Sequence, residues 1–343
     1  MRSLSFARAA LCAACLFRPA AAGVSNPDIS ALGQVLGGWT DDAAASDAEE
    51  PTLALGEAEF ILDAPLNPYF KGWFTLSGGP DGIGIEEAYA AWVNGLPRGL
   101  ALKAGKYRLP FGKINPLHPH ALPFVDPPRS ARAFLGEEGF NETAVEVSAL
   151  LPMPGESWAS TLTAAVSDGN SFHEGQEGTR LGMLGRWSND FLVGERGAVQ
   201  TGVSGATGID SLEAGTRAWL AGADAKAKFY LEGASQLTLQ AEGFYKRSHP
   251  GGAAEERLGF HCFGDFRYHT RWNGGLLYEQ WQREGDPDRI DRAARAFLGF
   301  AVLEESTMLR LAYERSMPDG EDSSDTVTLQ LLFSMGPHKA HRF

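Results

Sequence analysis

The chain has 343 residues, with 30 basic against 43 acidic side chains and a net charge of −13. Such acidity excludes the basic face that nucleic-acid phosphates demand, so no nucleic acid is expected as a partner. The three cysteines are Cys12, Cys15 and Cys262. They allow no internal disulfide or thiolate metal cluster if the first two leave with a cleaved leader.

Residues 1–22 read as that leader. Arg2 and Arg8 form a positive start, Ala9 to Phe17 a short apolar stretch, and Ala20-Ala21-Ala22 a small-residue cleavage site before Gly23. The stretch falls far short of the ~20 residues of a membrane-spanning helix. A lipoprotein signal at Cys15 is the rival, but Cys12 stands where such a signal prefers an aliphatic residue. Cleavage leaves 27 basic against 43 acidic side chains, a charge of −16, on a single domain, 23–343.

From there, apolar and polar residues alternate with a period of two, broken by Gly, Pro, Asn and Asp. Strands are expected at 29–38, 53–63, 69–77, 85–94, 100–108, 142–150, 158–166 and 179–187 in the first half. The second half adds 198–206, 217–230, 236–247, 258–268, 274–284, 293–303, 308–316 and 325–335. The alternation is poor in 69–77 and 85–94, which leaves the number at sixteen within two. In 236–247, Leu237, Leu239, Ala241, Gly243 and Tyr245 share one face, with Gln236, Thr238, Gln240, Glu242 and Lys246 opposite. In the last strand Val327, Leu329, Leu331 and Phe333 oppose Thr326, Thr328, Gln330 and Ser334. Trp219 and Phe229 bracket an alanine face, as an aromatic girdle would. The polar faces carry charge, for example Glu57, Glu59 and Asp63, or His261, Asp265 and Arg267.

A soluble sandwich could expose such faces to water, so the connections decide. Long or acidic links follow odd strands (Thr40 to Thr52, Leu109 to Asn141, His249 to Arg257, Gly285 to Arg292, Pro318 to Ser324). Tighter ones follow even strands, such as Pro65-Leu66-Asn67-Pro68 and Glu304-Glu305-Ser306-Thr307. Only 188–197 is too long for the scheme. Long outer loops, short inner turns and an even strand number describe a transmembrane antiparallel β-barrel of the bacterial outer membrane. Its expected partners are outer-membrane lipid and small hydrophilic solutes or ions, with a homo-oligomer open.

Residues 109–141 form a link too long for a simple turn. Its apolar residues Leu122, Phe124, Phe134 and Leu135 predict a packed loop, either folded into the lumen as a constriction or laid over the barrel mouth. Asp126, Arg129, Arg132, Glu137 and Glu138 supply both signs of charge, as selectivity rings do. Two histidine pairs, His118/His120 and His338/His341, offer imidazoles to zinc, with Asp126 the nearest carboxylate in sequence. No cofactor is required by the pattern, and a structural role for these histidines is the alternative.

Several stretches carry a resemblance. Leu102-Lys103-Ala104-Gly105-Lys106-Tyr107-Arg108-Leu109-Pro110-Phe111-Gly112 resembles a strand-to-loop motif of phosphate-selective-porin-like outer-membrane proteins. Further matches are Asn26-Pro27-Asp28-Ile29-Ser30, Asp63 through Tyr69-Phe70, Glu86-Glu87-Ala88-Tyr89, His118-Pro119-His120 with Phe124-Val125-Asp126, and the closing Met335 to Phe343. These are similar to a proteobacterial family labelled zinc-regulated outer-membrane receptors or porins. The resemblance implies a passive channel, with Lys106 and Arg108 joining the loop charges at the pore and the alternative of a zinc-linked transporter or receptor. An energy-coupled receptor is a 22-stranded, plugged barrel, for which this chain is too short. A soluble exported β-protein with a binding role is the remaining alternative. No Gly-x-Ser-x-Gly elbow, His-Glu-x-x-His helix or phosphate-cradling loop is present, so no enzyme is expected.

Overall fold

A computed structural model describes residues 26–79, 82–173, 176, 178–303 and 306–336. The expected leader, the His338/His341 pair and the turn at 304–305 lie outside them. The strands are β1 (Asp28–Thr40), β2 (Thr52–Pro65), β3 (Phe70–Gly79), β4 (Gly82–Trp92), β5 (Leu100–Arg108), β6 (Asn141–Leu151), β7 (Trp158–Ser167) and β8 (Gly182–Val193). They continue as β9 (Gly197–Ser211), β10 (Thr216–Tyr230), β11 (Gln236–Ser248), β12 (Glu255–Tyr268), β13 (Trp272–Arg283), β14 (Asp286–Leu303), β15 (Thr307–Met317) and β16 (Ser324–Met335). Each pairs with its sequence neighbours, and β1 closes on β16, giving one antiparallel barrel of sixteen strands. Closure pairs every backbone edge, which is what a sheet needs to stand in lipid. No helix among the described residues is long and apolar enough to cross a membrane, so any crossing is by strands.

The two faces of each strand divide as the alternation demands. Leu311 of β15 lies opposite Leu329 of β16, and both are about half exposed on the outer wall. Their neighbours in the same ladder, Arg310 and Gln330, also face each other and are buried inside. Around the wall Leu239, Leu258, Phe260, Leu276 and Leu298 are exposed outward, while Glu242, His261, Glu279 and Arg295 are buried inward. An apolar exterior around a polar interior is inverted relative to a water-soluble protein and fits a barrel set in lipid.

Two expected links are strand instead. Ser188 to Val193 continue β8. Ser188 to Phe191 pair with Thr161 back to Trp158 of β7, and Leu192 and Val193 with Ala198 and Gly197 of β9, which leaves only 194–196 as the turn. Asp286 to Arg292 belong to β14, where a register shift between Gln282 and Arg283 absorbs the Asp-Pro-Asp stretch. A third irregularity explains why β3 and β4 alternate poorly. The register shifts between Thr75 and Leu76, so that Thr75 faces Glu87 and Leu76 faces Ile85. Glu86 is the extra residue of this bulge, and bulges re-aim side chains. Here both Glu86 and Glu87 are buried.

Candidate functional site

The segment between β5 and β6 does not project from the barrel. It contains a short 3-10 turn, Pro119–Ala121, and one helix, α1 (Arg129–Leu135), and its side chains pack against the inner wall. Its neck is tied by Asn115, whose amide donates to the Leu109 carbonyl at 2.7 Å and accepts the Phe140 N–H at 2.7 Å. The φ of +92° at Gly136 ends the helix and turns the chain back toward β6.

Two apolar clusters hold the segment inside. In the first, Leu109, Phe111, Phe134, Leu135 and Phe140 pack with Leu184, Ala206, Leu220 and Phe244 of the wall. Phe244 stacks on Phe134 at 5.5 Å and on Phe111 at 6.4 Å between ring centroids. In the second, Ile114, Leu122 and Phe124 meet Phe263, Leu277 and Phe297, with Phe124 edge-on to both phenyl rings at 5.2 and 5.4 Å. All four apolar residues expected to anchor the loop, Leu122, Phe124, Phe134 and Leu135, are buried. Phe111, Ile114 and Phe140 are further anchors that the sequence reading did not single out.

Polar anchors from distant strands supply the orientation. Glu242 accepts the backbone N–H of Lys113 at 3.0 Å and of Ile114 at 2.8 Å. Glu279 accepts the N–H of Ser130 at 2.8 Å, at the start of α1. Arg310 donates to the His120 carbonyl at 2.9 Å, Arg295 to the Asp126 carbonyl at 2.5 Å, and Asn273 to the Pro123 carbonyl at 3.2 Å. Arg295 and Arg129 converge on Glu314, with Nε to carboxylate distances of 2.8 and 2.7 Å. Buried charges are costly unless paired and hydrogen-bonded. Arg295, Arg129 and Glu314 pair with one another. Glu242 and Glu279 instead accept loop N–H groups on one oxygen and leave the other, Oε2 and Oε1 respectively, buried without a donor.

The densest charge lies where residues 118–120 meet β2 and β4. Nδ1 of His120 is 2.8 Å from Glu59 Oε1. Its neighbour His118 places Nε2 3.2 Å from Glu87 Oε2 and Nδ1 3.2 Å from Glu86 Oε1 and 3.7 Å from Glu59 Oε2. The two imidazoles stack with centroids 5.5 Å apart. Arg108 donates to Glu86 through Nε at 3.1 Å and Nη2 at 2.7 Å. Burial alone would lower the His118 pKa, but its hydrogen bonds to Glu86 and Glu87 and the charges of Glu86 and Glu59 push it up to about 10. The wall glutamates, not Asp126, are thus the carboxylates that face this histidine pair.

The other charges singled out from the sequence scatter along the loop. Arg129 is engaged with Glu314, and Arg132 lies 3.6 Å from Glu137. Asp126, Glu137 and Glu138 are exposed. Lys103 lies over the rings of Tyr89 and Tyr107 at 3.9 and 3.7 Å. Lys106 alternates with it to the outward side of β5 and donates to the Ile85 carbonyl at 2.8 Å. The remaining pair, His338 and His341, lies outside the described residues.

Comparison with solved structures returns outer-membrane channels. The outer-membrane channel DcaP of Acinetobacter baumannii superposes with a TM-score of 0.60 at 13% identity, over 92% of this chain and 99% of that one. An anion-selective porin from Comamonas acidovorans gives 0.59 at 10%, over 90% and 99%. OmpF of Salmonella typhi gives 0.61 at 9%, over 90% and 97%. Identities this low establish a shared fold. That fold, with its closed wall and apolar exterior, makes the protein a β-barrel of the bacterial outer membrane. No model of a known protein family matches the chain. Among curated sequences, an uncharacterized protein of Aquifex aeolicus (strain VF5) is 30% identical over 341 residues, 86% of this chain and 71% of that protein. The chain belongs to the same family as this Aquifex aeolicus protein.

Proposed function

We propose that the protein is a porin-like channel through which small hydrophilic solutes or ions diffuse passively, narrowed by residues 109–140. The observation that carries this reading is the loop itself, fixed within a polar-lined barrel by two apolar clusters and a set of charged wall residues. A segment so held keeps a constant cross-section, and charges of both signs along it can discriminate between ions. The constriction charges of this reading are Asp126, Arg129, Arg132, Glu137 and Glu138, with Arg108 at the loop base.

The overall charge and the exposed acids Asp126, Glu137 and Glu138 favour cations. The basic cluster Lys103, Lys106, Arg108 and Lys113, in and just after the stretch 102–112 that resembles phosphate-selective-porin-like proteins, favours anions. A cation preference follows, because Arg129 and Arg132 are paired with Glu314 and Glu137 whereas Asp126 and Glu138 face solvent. Self-association of barrels through their apolar outer faces belongs to the same reading.

The deciding experiment is conductance of the purified protein in planar bilayers, with reversal potentials measured in a salt gradient. Discrete, ohmic channel steps support the reading. A protein that folds, resists denaturation until boiled and yields no steps would overturn it.

A further inference from the structure

We propose that the contact between residues 118–120 and the wall is a binding site for a borderline divalent cation of the zinc class, ligated by Glu59, His118 and His120. One ligand atom from each of the three lies within 4.8 Å of the others, a spacing one ion can bridge. Carboxylate oxygens of Glu57, Glu59 and Glu86 form a second group within the same limit, so a fourth ligand is at hand from the wall. Two imidazoles and a carboxylate, with one further position, are a donor set that zinc uses.

Three observations point toward a cation. First, Glu59 is 3% exposed, and its Oε2 is buried with no hydrogen-bond donor. Oε2 of Glu86 is in the same condition. A buried acceptor left without a donor is costly, and a cation would satisfy both oxygens. Second, Glu57, Glu59, Glu86 and Glu87 bring four carboxylates to a region where Arg108, paired to Glu86, and His118, held between Glu86 and Glu87, supply positive charge. Carboxylates outnumber these two cations, and a divalent ion taking the place of the imidazolium proton would add to the positive side. Third, the imidazoles set the class of ion. Mg²⁺ and Ca²⁺ seek all-oxygen shells, whereas nitrogen donors select zinc, cobalt or nickel.

The ligands come from separate parts of the fold. Glu59 stands on β2, and both histidines stand on the loop that crosses the barrel interior. A bound ion would therefore staple the loop to β2, a strand that contributes to neither of the two phenylalanine clusters. This role is additional to solute diffusion, and its test does not read conductance, so either reading can fail alone.

The test uses full-length barrel refolded in detergent and stripped with chelator. It carries His338→Ala and His341→Ala, so that the tail cannot contribute. Zn²⁺ is titrated by calorimetry, and Co²⁺ by visible absorption. The expected result is one Zn²⁺ per barrel, not displaced by excess Mg²⁺, and a Co²⁺ spectrum of low-coordinate nitrogen and oxygen ligation. Bound Zn²⁺ should raise the temperature at which the barrel loses its folded gel mobility. Glu59→Gln and His120→Ala should each weaken binding at least about tenfold while the barrel retains that mobility. Absence of saturable Zn²⁺ heat, or affinity unchanged in both variants, would overturn the proposal. Should either variant fail to fold, the Co²⁺ spectrum decides alone, and the spectrum of the hexa-aqua ion would overturn it.

Discussion

Gly112 and Glu242 meet where the long loop turns onto the wall. With φ at +66°, Gly112 directs the next two N–H groups, of Lys113 and Ile114, onto Glu242 Oε1 at 3.0 and 2.8 Å. A methyl group at position 112 would run into Glu242 Oε2, and the left-handed backbone itself disfavours any side chain. The loop's course across the barrel is therefore set within a few residues of its start.

Gly112→Ala should loosen that turn. A positive-φ glycine replaced by alanine costs upwards of ~1 kcal/mol, and here the clash adds to it. The barrel should still assemble, since its strands are untouched, but single-channel traces should become noisy or show larger steps. A quiet trace with wild-type conductance would mean that Glu242 does not govern the loop.

Phe124→Ala and Phe134→Ala should act on different halves of the segment. Phe124 fills the cluster on β12 to β14, and Phe134 the one reaching from β5 to β11. Each truncation removes a buried phenyl worth about 3–5 kcal/mol in a packed core. Limited proteolysis should cut near 122–126 in the first variant and near 132–138 in the second. Identical cleavage patterns would show that the two clusters are one unit.

The outer wall makes a sharper prediction. Leu311 and Leu329 oppose each other near the middle of β15 and β16 and face outward. An arginine at either position should cost ~2–4 kcal/mol at mid-membrane depth, read as a lower denaturant midpoint in lipid vesicles. Thr328→Ser, one residue along β16 on the inner face, should cost far less. Equal effects at both faces would contradict a lipid-exposed wall.

The wall was readable from the sequence because each strand writes its two faces into alternating residues. Strands β1, β2, β5 to β7, β10 to β13, β15 and β16 fall close to where alternation put them. What failed did so for local reasons. Ser188-Asn189-Asp190 has the composition of a turn yet continues β8, because its partners in β7 are equally small and polar, Ser160 and Thr161. Asp286-Pro287-Asp288 opens β14, and Asp291 is held there by Arg283 at 2.8 Å. The bulge at Glu86 is invisible to any period-two rule. The apolar loop residues announced a packed segment, but not where it packs. His120 and Glu59 are 61 residues apart, and Arg310 and His120 are 190 apart. Such partners are chosen by the closed geometry of the barrel, which no local pattern encodes.

Ion selectivity follows from which loop charges remain free. Arg129 is bound to Glu314 at 2.6 Å and Arg132 lies 3.6 Å from Glu137, whereas Asp126 and Glu138 face solvent. Fields from charges lining a low-dielectric passage concentrate ions of opposite sign. A modest cation preference is expected in a tenfold salt gradient at low ionic strength, fading as salt screens it over about 10 Å at 0.1 M. The triple change Asp126→Asn, Glu137→Gln and Glu138→Gln should move the reversal potential toward zero or to the anion side. Conductance should change little, because none of the three side chains takes part in the two apolar clusters. Anion preference in the unmodified protein would show that Lys103, Arg108 and Lys113 dominate instead. In that case Lys113→Gln, which also removes the 3.1 Å contact to Gln200, should reverse the sign.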